Sequence, residues 1–168
     1  MTKQVISGIA FALTMTIAAN PTMAEPAGFL WKAVSGASIP ADAYSAAPEG
    51  AAPVHICRVR HNRDVEIGMT GEAFCHIGGD GMNRPYSLYE VLVAAPGAGW
   101  TKTSGGEIPA AAIPLNAGKG PDRFACRTVY EGRTLVGTVQ DGICSAGFDV
   151  SELRADEFEV LVATEGAN

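Results

Sequence analysis

The chain has little of what most catalytic sites are built from. It carries 3 histidines in 168 residues, and it contains no Gly-rich phosphate loop followed by Lys-Ser/Thr, no His-Glu-x-x-His and no Gly-x-Ser-x-Gly elbow. Positive charge is also scarce: 12 Lys and Arg face 18 Asp and Glu, a formal charge of −6. That sign argues against nucleic acid and anionic lipid as partners, because both need a net-positive contact face. Beyond the first residues there is no long apolar run, and spanning a bilayer takes about 20 apolar residues.

What is present begins with a short segment to be set aside. Lys3 gives a positive start, Val5 to Ala19 is mostly apolar, and Thr22-Met23-Ala24 offers small residues where signal peptidase reads them. Residues 1–24 therefore read as a signal peptide, with cleavage before Glu25, and the protein is expected outside the cytoplasm, secreted or periplasmic. The rest is rich in Gly, Ala and Pro with short Val/Ile/Leu runs between turn residues, which favours strands over long helices.

Sliding the chain against itself by 69 residues exposes an ungapped repeat. Trp31 falls on Trp100, Ile39-Pro40-Ala41 on Ile108-Pro109-Ala110, Cys57-Arg58 on Cys126-Arg127, and Gly68 on Gly137. Cys75 falls on Cys144, Gly78 on Gly147, Asp80 on Asp149, and Glu90 to Ala94 on Glu159 to Ala163. The organisation expected is a lead at 25–30, a first repeat at 31–94, a linker at 95–99, a second repeat at 100–163 and a tail at 164–168. Two copies of a long period point to a closed pseudo-twofold pair rather than an open array. A five-residue linker means that the copies touch. The fold class expected is all-β: two tandem β motifs, packed or intertwined into one compact unit. The clearest strands are Leu88 to Ala94 and Glu157 to Ala163, with others at Val54 to Arg60 and Arg123 to Val129; 41–53 reads as a loop.

The repeat also sorts residues by role, since a residue kept in both copies serves a need both have. The four cysteines are kept, Cys57 18 residues before Cys75 and Cys126 18 before Cys144. In an oxidising compartment they read as two disulfides. Pairing within each copy makes each repeat self-contained and is worth about 3 kcal/mol per loop of this length; crossed pairing is the rival. Zinc is disfavoured by the long spacing, so neither metal nor cofactor is expected. The histidines are not kept: His55 falls on Phe124, His61 on Tyr130 and His76 on Ser145. A symmetric histidine site is thereby excluded, and the chain does not read as an enzyme.

Three kept polar pairs remain. Arg58/Arg127 and Glu90/Glu159 sit in strands that can pair, which suits a structural ion pair. Asp80/Asp149 follow glycine-containing steps and suit either a turn whose side chain bonds its own backbone or a ligand contact. Trp31 and Trp100 are more often core than sugar platform at such positions.

In order and spacing these elements resemble the DM-nine repeat family. The first copy shows Trp31, Gly36 to Ala43, Cys57-Arg58, Gly68-Met69, Cys75-His76-Ile77-Gly78 and Tyr89-Glu90-Val91-Leu92; the second shows Trp100, Gly105 to Ala112, Cys126-Arg127, Gly137-Thr138, Cys144 to Gly147 and Phe158-Glu159-Val160-Leu161. The resemblance implies a small all-β module of two intertwined motifs, some of whose members are lectins for mannose-type sugars. It implies that an acidic loop residue, here near Glu49 in one copy and Gly118 in the other, and the Lys of a Gly-Lys step contact the sugar. Met69 and Thr138 stand at that lysine position, and losing such hydrogen bonds costs about 1 to 3 kcal/mol each.

Two functions follow as expectations. One is a secreted, non-catalytic carbohydrate-binding module with a shallow site in each repeat: Glu49, Met69 and Asp80, and their counterparts Thr138 and Asp149. The other is a structural or protein-interaction module without a small ligand, whose partner is another protein or, as a homodimer, a second chain of the same sequence. An open polar pocket around Met69 and Thr138 would favour the first, an apolar plug the second.

Overall fold

The computed structural model describes residues 28–61, 64–103, 105–116 and 120–164; the expected signal peptide and all but the first residue of the expected tail lie outside them. The protein is all-β. Twelve strands run in chain order as β1 (Leu30–Ser35), β2 (Ile56–His61), β3 (Asp64–Gly71), β4 (Phe74–Gly79), β5 (Met82–Tyr86) and β6 (Leu88–Ala94), then β7 (Ala98–Thr103), β8 (Ala125–Tyr130), β9 (Arg133–Gln140), β10 (Ile143–Phe148), β11 (Ser151–Ala155) and β12 (Phe158–Ala163). β6 has the bounds expected from its hydrophobic run, and β12 differs from its expected bounds by one residue.

All strands join one antiparallel sheet in the order β1-β6-β2-β3-β4-β5-β11-β10-β9-β8-β12-β7. Read inward from either edge, the order is the same once each strand is exchanged for the one 69 residues on. The seam at the centre is thin: β5 and β11 meet through Ser151 and Met82, with Asn83 N–H donating to Val150 C=O and Glu152 N–H to Gly81 C=O. The sheet does not stay open about this seam. It folds back so that β3 packs on β9 and β4 on β10. Gly78 shows how close the backbones come: a Cβ there would lie 2.6 Å from the carbonyl carbon of Ala146. Gly68 and Gly137 answer a different need, the tight approach of neighbouring strands, since their Cβ atoms would lie 2.0 Å from His76 O and 1.9 Å from Ser145 O.

The central core draws on both repeats. Ile56, Ile67 and Leu92 pack with Leu115, Val136 and Leu161, all six fully buried. Two smaller clusters flank it, each around a disulfide: Cys57–Cys75 with Val59, Ile77 and Val91, and Cys126–Cys144 with Val139, Phe158 and Val160. Every disulfide cysteine is buried. The central core is thus shared, and its apolar side chains are buried by residues of both repeats together.

The loops before β2 and β8 strap the halves together, and the kept arginine is their fastener. Arg58 pairs with Glu90 opposite it on β6 (2.7 Å), lies 4.0 Å from the Trp31 ring centre, and donates to Leu115 C=O of the other repeat at 2.9 Å. Arg127 does the same with Glu159 (2.6 Å), Trp100 (4.7 Å) and Ala46 C=O (2.7 Å). Trp, Arg and Glu thus make one stacked, ion-paired cross-link in each half.

A second pair of links crosses at the central seam. Asn83 and Glu152 occupy equivalent positions under the 69-residue shift. The Asn83 side chain donates to Asp149 C=O at 2.6 Å, and Glu152 accepts from Gly81 N–H at 2.7 Å and from the Ser145 hydroxyl. Burial pushes the Glu152 carboxyl up, but hydrogen bonds from Ser145 and Gly81 and the charge of Arg154 outweigh that and hold it below the ordinary carboxylate range. A depressed folded-state value means that Glu152 stabilises the fold above the unfolded carboxylate range, about pH 4.3, and loses that contribution as pH falls through the folded value. Urea unfolding of Glu152→Gln against the unmodified protein is expected to show its largest stability gap near neutral pH and a narrowing gap toward pH 3. A pH-independent gap would contradict the assignment.

Candidate functional site

Folding the sheet back creates two grooves related by the pseudo-twofold, each walled by both repeats. The first, about 750 Å³, is lined from the first repeat by Met69, Glu72 and His76 and from the second by Arg133, Phe148 and Asp149. The second, about 470 Å³, is lined by Glu66, Asp80 and Arg84 and by Arg123, Gln140 and Asp141. Under the shift Glu72 falls on Asp141, and Asp80 on Asp149. The grooves share a position but not a chemistry.

In the first groove the carboxylates of Glu72, Glu131 and Asp149 form no hydrogen bond or ion pair with the protein among the described residues. They share the groove with Phe148, whose ring meets Tyr130 edge-on at 5.3 Å and has the Arg133 guanidinium 5.9 Å from its centre. Glu72, Glu131 and Asp149 all sit at positive φ, on the turns that form the walls. His76 spans the floor with both ring nitrogens engaged, Nε2 with Gly71 O (3.2 Å) and Nδ1 with the Asn83 amide (2.9 Å). In the second groove both arginines are closed off, Arg84 by Asp80 and Arg123 by Asp64 at 2.6 Å. Gly79 stands there where Phe148 does in the first, and Phe124 packs on the core beneath.

The DM9 repeat model matches residues 48–154, from the strap before β2 to β11, and so takes in both grooves. The chain belongs to the DM9 repeat family. Among solved structures, the nematode sperm cell motility protein MFP2B is similar to this DM9 chain, with a TM-score of 0.60 at 14% identity. The match covers 83% of this chain and 46% of that one, so the chain spans less than half the length of its structural neighbour. At this identity the likeness is one of fold. No curated protein matches.

On the DM9 frame the residues singled out from sequence separate. Met69 lines the first groove, half-buried against the central core, and shares that groove with Asp149 of the other repeat rather than with Asp80 of its own. Met69 and Asp80, expected to share a site within one repeat, therefore lie in different grooves. Asp80 lies in the second groove, paired with Arg84 instead of with its own backbone. Thr138 is 1% exposed and lines neither groove. Its hydroxyl accepts from Ile67 N–H at 3.0 Å and donates to Ile67 C=O at 2.8 Å, two bonds between the repeats that use its proton and one lone pair. Glu49 is exposed on the strap and lines neither groove, although Ala51 and Ala52 beside it line the first. Glu72, Glu131, Arg133 and Phe148 have no counterpart identical under the shift, so a search for kept residues passes over them. Among the described residues no group of three or more His, Cys, Asp or Glu is arranged to hold a metal, and no helix is long and apolar enough to cross a membrane.

Proposed function

We propose that the protein is a secreted, non-catalytic carbohydrate-binding module with one ligand groove, the first, taking a neutral glycan of mannose type. The observation that carries this reading is that Glu72, Glu131 and Asp149, whose carboxylates have no partner among the described residues, line one groove with Phe148. Sugar hydroxyls bond such carboxylates and apolar sugar faces stack on aromatic rings, and a groove of this size falls in the range that small ligands use. Support for a non-catalytic role comes from His76, held by structural hydrogen bonds at both nitrogens, and from the closed disulfides. The disulfides also support an oxidising location.

The experiment is a glycan array followed by titration of the best binder. Glu72→Gln and Asp149→Asn keep the turns, whose left-handed backbone Asn tolerates, and are each expected to weaken binding about tenfold, from about 1 to 3 kcal/mol per lost hydrogen bond. Asp80→Asn should leave binding unchanged. No binding to any glycan, or sensitivity to Asp80 and not to Asp149, would sink the proposal. A module without a small ligand draws support from one feature, the Thr138 hydroxyl spent on Ile67, and is the reading left standing by a blank array.

A further inference from the structure

Beneath the first groove runs an unbroken chain of hydrogen bonds from one wall to the other: Gly71 C=O to His76 Nε2 (3.2 Å), His76 Nδ1 to Asn83 Nδ2 (2.9 Å), and Asn83 Nδ2 to Asp149 C=O (2.6 Å). Both ends are carbonyls, which only accept, and the Asn83 amide nitrogen is nearer to Nδ1 (2.9 Å) than the amide oxygen is (3.3 Å), so we assign the protons for a neutral imidazole. Nε2 carries the imidazole hydrogen. Nδ1 then accepts one amide hydrogen of Asn83, and the other amide hydrogen goes to Asp149. Gly71 precedes Glu72 on the first wall, while Asp149 belongs to the second, and both line the groove. Asn83 is wedged under that second wall, with its Oδ1 only 2.4 Å from where a Cβ on Gly147 would sit.

The second groove lacks this tie. Ser145 stands in place of His76 and Glu152 in place of Asn83. Ser145 reaches Glu152, and Glu152 reaches the Gly81 N–H, but Ser145 makes no bond across to Gln140. The difference between the grooves therefore extends below their surfaces.

We infer that His76 and Asn83 are positioning residues: a tie beneath the first groove that sets the separation of Glu72 and Asp149 and so pre-organises the carboxylates for a ligand. The inference rests on the glycan-binding reading for its consequence but not for its structural content. Pre-organised groups bind more tightly because less ordering remains to be done on binding.

The test compares His76→Ser, which installs the residue of the untied groove, His76→Gln, whose amide can donate to Gly71 and accept from Asn83, and Asn83→Ala. Two readouts are taken, affinity for the best array glycan and amide hydrogen exchange at residues 147–150. His76→Ser and Asn83→Ala are expected to lower affinity about tenfold and to speed exchange at that wall, with the melting temperature little changed; His76→Gln is expected to restore both readouts. Unchanged exchange in His76→Ser and Asn83→Ala overturns the tie, whatever the affinity. If exchange rises as expected and the unmodified protein binds no glycan, the tie stands and the glycan reading falls. A parallel fall in affinity and melting temperature with no rescue by Gln marks a merely structural role and overturns the inference.

Discussion

Arg58→Ala is expected to destabilise the protein by about 3 kcal/mol, between the values for exposed and for buried hydrogen-bonded ion pairs, because Arg58 is buried while Glu90 is 32% exposed. The Arg58 side chain is 8% exposed, and its loss would strand the Glu90 carboxylate, uncover the Leu115 carbonyl and leave the Trp31 face without its cation. Leu115 belongs to the strap of the other repeat, so the damage should not stay local. Chemical denaturation is expected to remain a single transition with a lower midpoint, because the central core is shared between the repeats. A loss below about 1 kcal/mol, as for an exposed pair, would show that the arginine is not the fastener described. Arg127→Ala should behave alike, since its contacts to Glu159, Trp100 and Ala46 repeat those of Arg58.

Gly78→Ala is expected to cost about 3 kcal/mol, although it adds a single methyl group. That methyl would meet the carbonyl carbon, oxygen and nitrogen of Ala146 at 2.6, 2.7 and 2.9 Å. All three are backbone atoms, so no side chain can swing aside, and relief would require β4 to lift off β10. Thermal melting is the direct measurement. A melting temperature within a degree or two of the unmodified protein would mean that the repeats do not approach as closely as the fold requires.

Both expectations concern residues visible in the repeat, which is the part of the structure that sequence makes legible. Arg58, Glu90 and Trp31 recur 69 residues on because each half needs its own fastener, and Gly68 recurs because each half has a strand too close for a side chain. β6 is legible because Val91-Leu92-Val93-Ala94 form an apolar run after Glu90, with Val91 and Leu92 fully buried. β5 and β11 are not: they are short, half-exposed and contain Asn, Arg, Pro and Glu, so neither alternation nor an apolar run marks them.

The grooves were hidden for a different reason. Each is assembled from residues of both repeats, so Met69 and Asp149 come to line one groove only after the sheet folds back, and no spacing along the chain records that. Selecting for residues kept in both copies also removes the features that make the first groove distinctive, because Phe148 falls on Gly79 and His76 on Ser145. Thr138 shows the converse. Its Gly-Thr step places it where the resemblance implies a sugar contact, yet its short side chain reaches the Ile67 backbone and is enclosed there.

Stoichiometry tests the central claim, that two repeats make two grooves but one ligand site. Titration calorimetry with the best array glycan is expected to give one ligand per chain, with Asp149→Asn weakening that binding and Asp80→Asn leaving it unaltered. Two equivalent ligands per chain would contradict it.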